Sequence, residues 1–354
     1  MGLSALTTAA GAGVDLGTVR MIEGLWMTGG DPNHPDAHAR QEKAFEFYAE
    51  SGLNSDLERY HPAPKPLDNI RVHTRRPTRK GTIERWTWES GFRTLDRAVQ
   101  DEWDAYEANR TCHVELWRHR GEPRPTIIFV HSWATGFFHL QREVYRQRSF
   151  YSSGLNVATF ILPFHGARTP TQAWFGGQLF PSTQAHHANE AFAQAIWDLR
   201  GLVQHFKRRG SSHVGVMGQS IGGYTVAMLA AVEDQLDFCI PMIPVSSLAE
   251  MMWQLGEGRP SRTAAEARGV TKERIAALYR GHTPIAHPPK LPKNRLMIVA
   301  GKGDRVCRPD QVELLWNHWQ QPHIHWFAGG HMLHFGWRGV YKDVRRFVGE
   351  AIAS

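Results

Sequence analysis

His213–Tyr224 reads HVGVMGQSIGGY, a strand signal that breaks off at a turn carrying a hydroxyl. Val214, Val216 and Met217 form a short apolar run of the kind that makes a buried strand. Gly218-Gln219-Ser220-Ile221-Gly222 then fits G-x-S-x-G, and the Ala-, Met- and Leu-rich run Ile221–Val232 predicts a helix. A hydroxyl therefore sits where a strand ends abruptly and a helix begins. In such an elbow the glycines two positions to either side let strand and helix pass closely. The helix N-terminus aims free backbone N–H groups, and the positive end of its dipole, at whatever the hydroxyl attacks. Ser220 is the candidate nucleophile on these grounds.

Outward from this stretch the chain alternates strands and helices. Thr126–Val130, Val157–Leu162, Phe238–Ile243 and Leu296–Ala300 are short apolar runs that read as strands buried on both faces, with a last strand at His323–Phe327. Ala185–Lys207 and Val340–Ala353 read as helices. Such alternation predicts a mostly parallel sheet with helices on both faces. Ahead of it, Thr82–Phe92 and Thr111–His119 alternate apolar and polar residues as an antiparallel, half-exposed pair would, with an acidic excursion between them at Asp96–Glu107. The Ser246–Lys293 connection is too long for an ordinary crossover and carries helix-like Leu248–Leu255 and Thr263–Tyr279, so it reads as a cap or lid.

The expected organisation is an N-terminal helical extension and arm over 1–80, a core over 81–245 and 294–354, and a cap over 246–293. Within the extension, residues 1–13 are small and polar and read as a mobile terminus. Val19, Ile22 and Trp26, then Ala44, Phe45, Tyr48 and Ala49, recur at helical spacing on either side of GGDPNHP. Two roles suit these helices: covering the main domain, or making a contact between two copies of the chain. The proline-rich 61–66 stretch cannot continue a helix and reads as a linker, and the basic Arg71–Lys80 stretch reads as a solvated face.

With 354 residues, 42% of them hydrophobic, the chain can bury a large core. Its 41 Lys and Arg against 34 acids give a net charge of +7, but the charges are interspersed, which argues against a nucleic-acid footprint. Three widely spaced cysteines, Cys112, Cys239 and Cys307, do not suit a disulfide framework. No run approaches the length of a spanning helix, and the N-terminus lacks the basic flank of a signal peptide. The expected setting is cytoplasmic, with no membrane partner.

A serine needs a base to activate it, and the base needs a carboxylate to hold its tautomer. Asp304 follows the strand Leu296–Ala300 in Gly301-Lys302-Gly303-Asp304, and His331 follows the last strand in Ala328-Gly329-Gly330-His331. Both fall at the carboxyl ends of strands, where open parallel sheets collect ligands. Asp237 and Asp310 are the substitute acids, and His334 the neighbouring histidine. Cys307 lies near Asp304 but in no elbow, and reads as structural.

The order Ser, Asp, His with a G-x-S-x-G elbow resembles the α/β-hydrolase fold, over roughly residues 80–354. The resemblance extends to Phe129-Val130-His131-Ser132-Trp133, similar to that family's oxyanion loop with Ser132 in place of its usual Gly, and to Phe164-His165-Gly166-Ala167-Arg168. It implies a serine hydrolase acting on a carboxylic ester through an acyl-serine, with the backbone N–H groups of Ile221 and Trp133 as oxyanion donors. Peptide or amide cleavage, acyl transfer, and a non-catalytic binding protein are the alternatives. His131, Ser132, Phe137, Trp174, Phe175, Met252 and Trp253 are the candidate pocket residues for a small-molecule ester. The histidine pairs His34/His38, His186/His187 and His323/His325 come without H-E-x-x-H or paired-cysteine spacing, and no nucleotide-binding glycine motif is present, so neither metal nor cofactor is expected.

Overall fold

The apolar runs become the strands of one nine-stranded sheet in a computed structural model that describes residues 3–26, 35–182 and 184–353. The strands are β1 (Arg71–Pro77), β2 (Gly81–Glu89), β3 (Thr111–His119), β4 (Thr126–Val130), β5 (Asn156–Phe160), β6 (Val214–Gln219), β7 (Phe238–Met242), β8 (Met297–Gly301) and β9 (His323–Phe327). Their order across the sheet is β1-β2-β3-β5-β4-β6-β7-β8-β9. The strands from β5 to β9 run parallel, while β1, β2 and β3 add an antiparallel edge.

Alternate residues of a strand face opposite sides, and here both sides are covered. Ile128 and Val130 of β4 pack into a core shared with the helices Ala185–Arg208 and Ile221–Val232, whereas Ile127 and Phe129 face Tyr145, Phe150, Tyr341 and Val344. The second face is covered by Phe138–Val144, Gln147–Ser152 and Trp337–Ala353. All five residues of β4, β7 and β8 are buried, so the expectation of continuous apolar runs was met because no strand face there meets water.

Three local expectations change, and one further helix appears. Leu3–Trp26 forms a helix where 1–13 was read as mobile, held by buried Asp15 and by Val19, which packs on the core. The stretch between that helix and Pro35–Phe45, His34 included, lies outside the described residues. Arg71–Lys80 is solvent-facing as read, yet Arg71–Pro77 is also a strand, the charged edge of the sheet pairing with β2. Thr263–Tyr279 is two helices, Pro260–Ala267 and Lys272–Tyr279, parted at Gly269 with φ 76°. Pro309–His318 is a helix between β8 and β9, with Pro in its first turn.

The 246–293 insertion and the N-terminal extension pack on each other. Lys272 pairs with Glu250 at 2.9 Å within the insertion, Arg274 pairs with Glu42, and the Asn54 amide donates to the Ala277 carbonyl. Among the described residues no helix is long and apolar enough to cross a membrane.

Candidate active site

Ser220 caps β6 with φ 56° and ψ −115°, a conformation that a non-glycine residue holds only when its surroundings enforce it. Its N–H donates to the Met242 carbonyl on the neighbouring strand at 2.9 Å. A Cβ on Gly218 would collide with the Gly222 carbonyl, and one on Gly222 with the Val130 carbonyl. These two glycines therefore allow the sharp reversal that leaves Ser220 at the carboxyl edge of the sheet.

The loops after β8 and β9 deliver the other two side chains. Ser220 Oγ lies 3.0 Å from His331 Nε2, and His331 Nδ1 lies 2.8 Å from Asp304 Oδ2. Asp304 Oδ1 accepts from the backbone N–H groups of Val306 at 2.9 Å and Cys307 at 2.7 Å. Both oxygens of this buried carboxylate are thus assigned, and only Oδ2 is left for the imidazole. Burial raises the Asp304 carboxyl above its ordinary range against the pull of the His331 ring. Burial alone would lower the His331 ring, but the adjacent Asp304 carboxylate outweighs it and holds the ring well above its usual value. Cys307, also buried, faces the same pair, and burial pushes its thiol up, so it adds no negative charge. It lies against the site beside Asp304 and His331.

The substitute residues have other partners. Asp237 pairs with Lys207 at 2.6 Å and accepts from the Val214 N–H, Asp310 pairs with Arg308, and His334 stacks on Trp337 with centroids 4.4 Å apart.

His131 Nε2 accepts from the Leu162 backbone N–H at 3.0 Å, which assigns the ring proton to Nδ1. That proton goes to the Ser132 carbonyl at 2.8 Å, which also accepts from Thr135 Oγ1 at 2.6 Å. Ser132 is thus held through its carbonyl, and Ala134 turns the loop with φ 57°. The Trp133 indole donates to the Gly177 carbonyl at 2.7 Å and meets Phe175 edge-on. Behind this loop Arg168 and Asp198, both fully buried, pair at 2.9 Å.

The remaining pocket candidates are dispersed. Phe137 is half exposed and Trp174 is 85% exposed, so the Trp174 ring stands in solvent instead of lining a cavity as expected. Met252 packs on the core from the insertion. Trp253 lies under the Arg262 guanidinium, 4.1 Å away, inside the insertion. Gln254 of the same helix reaches Asp310 and Gln311, at the start of the helix that follows Asp304.

Of the histidine pairs, His187 Nε2 bonds Glu102 at 2.8 Å while His186 Nε2 has no partner. Arg40 also engages Glu102 at 2.7 Å, so a cation already stands at this cluster. His323 and His325 both bond Asp343.

The chain resembles the uncharacterized protein Rv2627c of Mycobacterium tuberculosis, with 32% identity over 311 residues that span 87% of this chain and 72% of that protein. Residues 175–327 match the Prolyl oligopeptidase family. The architecture is similar to an acetyl xylan esterase from Paenibacillus sp. R4, with TM-score 0.58 and 16% identity over 90% of this chain and 95% of that one. It is also similar to acetyl xylan esterase 1 from Thermoanaerobacterium sp. JW/SL YS485, with TM-score 0.55 and 16% identity over 91% and 96%. The chain belongs to one family with the mycobacterial protein, and its architecture is the α/β-hydrolase fold. The β1 strand and the N-terminal helices precede the part matched by the Prolyl oligopeptidase family.

One contact of the His331 loop escaped the sequence. Asp15, in the N-terminal helix Leu3–Trp26, is fully buried against the His331 loop. Sequence offered only an indirect cue: the glycines beside Asp304 and His331 mark a close approach by something not specified.

Proposed function

We propose that this hydrolase cleaves a carboxylic ester through an acyl-serine intermediate. The observation that carries the reading is the hydrogen-bonded line from Ser220 through His331 to Asp304, at 3.0 and 2.8 Å, starting on a strained elbow. His331 Nε2 takes the hydroxyl proton as Ser220 Oγ attacks the carbonyl carbon. Asp304 keeps the other ring proton on Nδ1 and stabilises the imidazolium that forms. The Ile221 N–H, at the first position of its helix, and the Trp133 N–H receive the oxyanion. The tetrahedral intermediate collapses, His331 returns the proton to the leaving alcohol, and the acyl group stays on Ser220. Water attacks the acyl-serine with His331 as base, releasing the acid.

Trp133 and Phe175 give the acyl side an apolar wall, and the insertion contributes Met252. An ester panel from acetyl to octanoyl, measured on wild type and Ser220→Ala, tests the reading. Hydrolysis is expected for wild type alone, and equal hydrolysis by the variant removes it.

The match of residues 175–327 to the Prolyl oligopeptidase family favours a second reading, cleavage of peptides or amides by the same groups. Peptide anilides separate the two, since an ester hydrolase leaves them intact.

A further inference from the structure

The carboxylate of Asp15 touches both loops that supply the acid and the base. Its Oδ2 accepts from the backbone N–H of His331 at 2.5 Å and from that of Arg305 at 3.0 Å, and its Oδ1 accepts from the N–H of Met332 at 3.0 Å. Arg305 follows Asp304 directly, and Met332 follows His331. One buried side chain, more than 280 residues away in sequence, therefore bridges the residue after the acid, the base itself and the residue after the base.

The surrounding backbone is cut to admit this helix. A Cβ on Gly11 would collide with Gly329 and Gly330, one on Gly303 with the Thr8 carbonyl, and one on Gly330 with the Asp15 carboxylate. The Gly303 N–H also donates to the Gly329 carbonyl at 2.7 Å, tying the two loops to each other beneath the helix. Three charge-assisted bonds to backbone donors fix the loops more tightly than neutral bonds would. A general base must stay in line with both the serine oxygen and its own carboxylate, so a small displacement of either loop opens one of the two bonds.

We infer that Asp15 is a positioning residue of the active site, clamping the acid and base loops so that Asp304, His331 and Ser220 stay in line; this rests on the catalytic reading above. The N-terminal helix is then a working part of the hydrolase and not only a cover. Asparagine cannot replace Asp15 neutrally, because its amide nitrogen would face a backbone N–H in either orientation.

The test measures Asp15→Asn and Gly11→Ala in the full chain, with Gly17→Ala as the control, since a Cβ there meets nothing within 4 Å. Gly11→Ala leaves the carboxylate in the protein but pushes the helix off the Gly329–Gly330 backbone, so it separates position from charge. Fluorophosphonate titration counts competent sites, and kcat is expressed per titrated site, so a smaller folded fraction does not mimic the effect. Both variants are expected to lose about 100-fold in kcat per site with KM for a short ester little changed. The inflection of kcat/KM with pH should also fall towards that of an ordinary histidine as the Asp304 bond loosens. Gly17→Ala should match wild type.

Wild-type kcat per site and an unmoved inflection in either folded variant overturn the inference. If Asp15→Asn does not fold, Gly11→Ala alone decides. Failure of wild type itself to label at Ser220 defeats the catalytic reading instead, so the two failures are told apart.

Discussion

Replacing Asp304 by asparagine changes one atom and reverses a proton. In wild type Oδ1 accepts two backbone N–H groups, from Val306 and Cys307, and Oδ2 accepts from His331 Nδ1. The asparagine oxygen can face one side only. Turning it to the imidazole leaves two buried backbone donors unpaired at about 1–3 kcal/mol each, against about 1 kcal/mol for the single bond retained. The oxygen therefore stays on the backbone donors and the NH2 group faces His331 Nδ1. That ring nitrogen must then accept, the ring proton moves to Nε2, and His331 can no longer take the proton of Ser220. Loss of this tautomer lowers kcat by roughly 10⁴, or about 5.5 kcal/mol of transition-state stabilisation, on the precedent of serine proteases. KM should change little, because Asp304 is fully buried behind the histidine. Steady-state kinetics on a short aryl ester, with circular dichroism confirming the fold, give the answer. An Asp304→Asn enzyme within tenfold of wild type would refute the tautomer argument and the assignment of Asp304.

Activity should rise with pH through an inflection above 6.5, since the base works only when neutral and the Asp304 carboxylate raises the His331 ring; a flat profile between pH 6 and 9 contradicts this. Arg168→Met should cost about 3–5 kcal/mol of stability in urea unfolding, because it leaves the buried Asp198 carboxylate without its cation; a loss under about 1 kcal/mol would show that Ser90, which donates to Asp198 at 2.6 Å, suffices. Met252→Ala should change the ranking of acyl chain lengths by about 1–3 kcal/mol for long chains and leave acetyl esters alone. An unchanged ranking with a large fall in melting temperature would make Met252 a core residue and remove the lid.

The sheet was readable because β4, β7 and β8 are buried on both faces, so the sequence had to be apolar throughout. The elbow was readable because close packing leaves glycine no substitute at 218 and 222. β1 was not, because an edge strand facing solvent carries Arg71, Arg75 and Arg76 and shows no apolar alternation. The order of Asp304 and His331 along the chain was legible, but not their company. Asp15 acts on backbone N–H groups, which every residue has, so its partners left no mark in residue type. The turn that brings Cys307 to the site is likewise made on backbone N–H groups, the Asp304 carboxylate accepting from those of Val306 and Cys307. Trp174 misled in the other direction, an aromatic in the right loop whose ring points to water.

Rapid quenching of wild type with a p-nitrophenyl ester, followed by digestion and mass spectrometry, looks for the acyl-serine itself. The substrate's acyl group is expected on Ser220 during turnover, and is expected to be absent in Ser220→Ala. Turnover with the acyl group on another residue, or with no acylated residue under conditions where deacylation limits the rate, would contradict the acyl-serine reading.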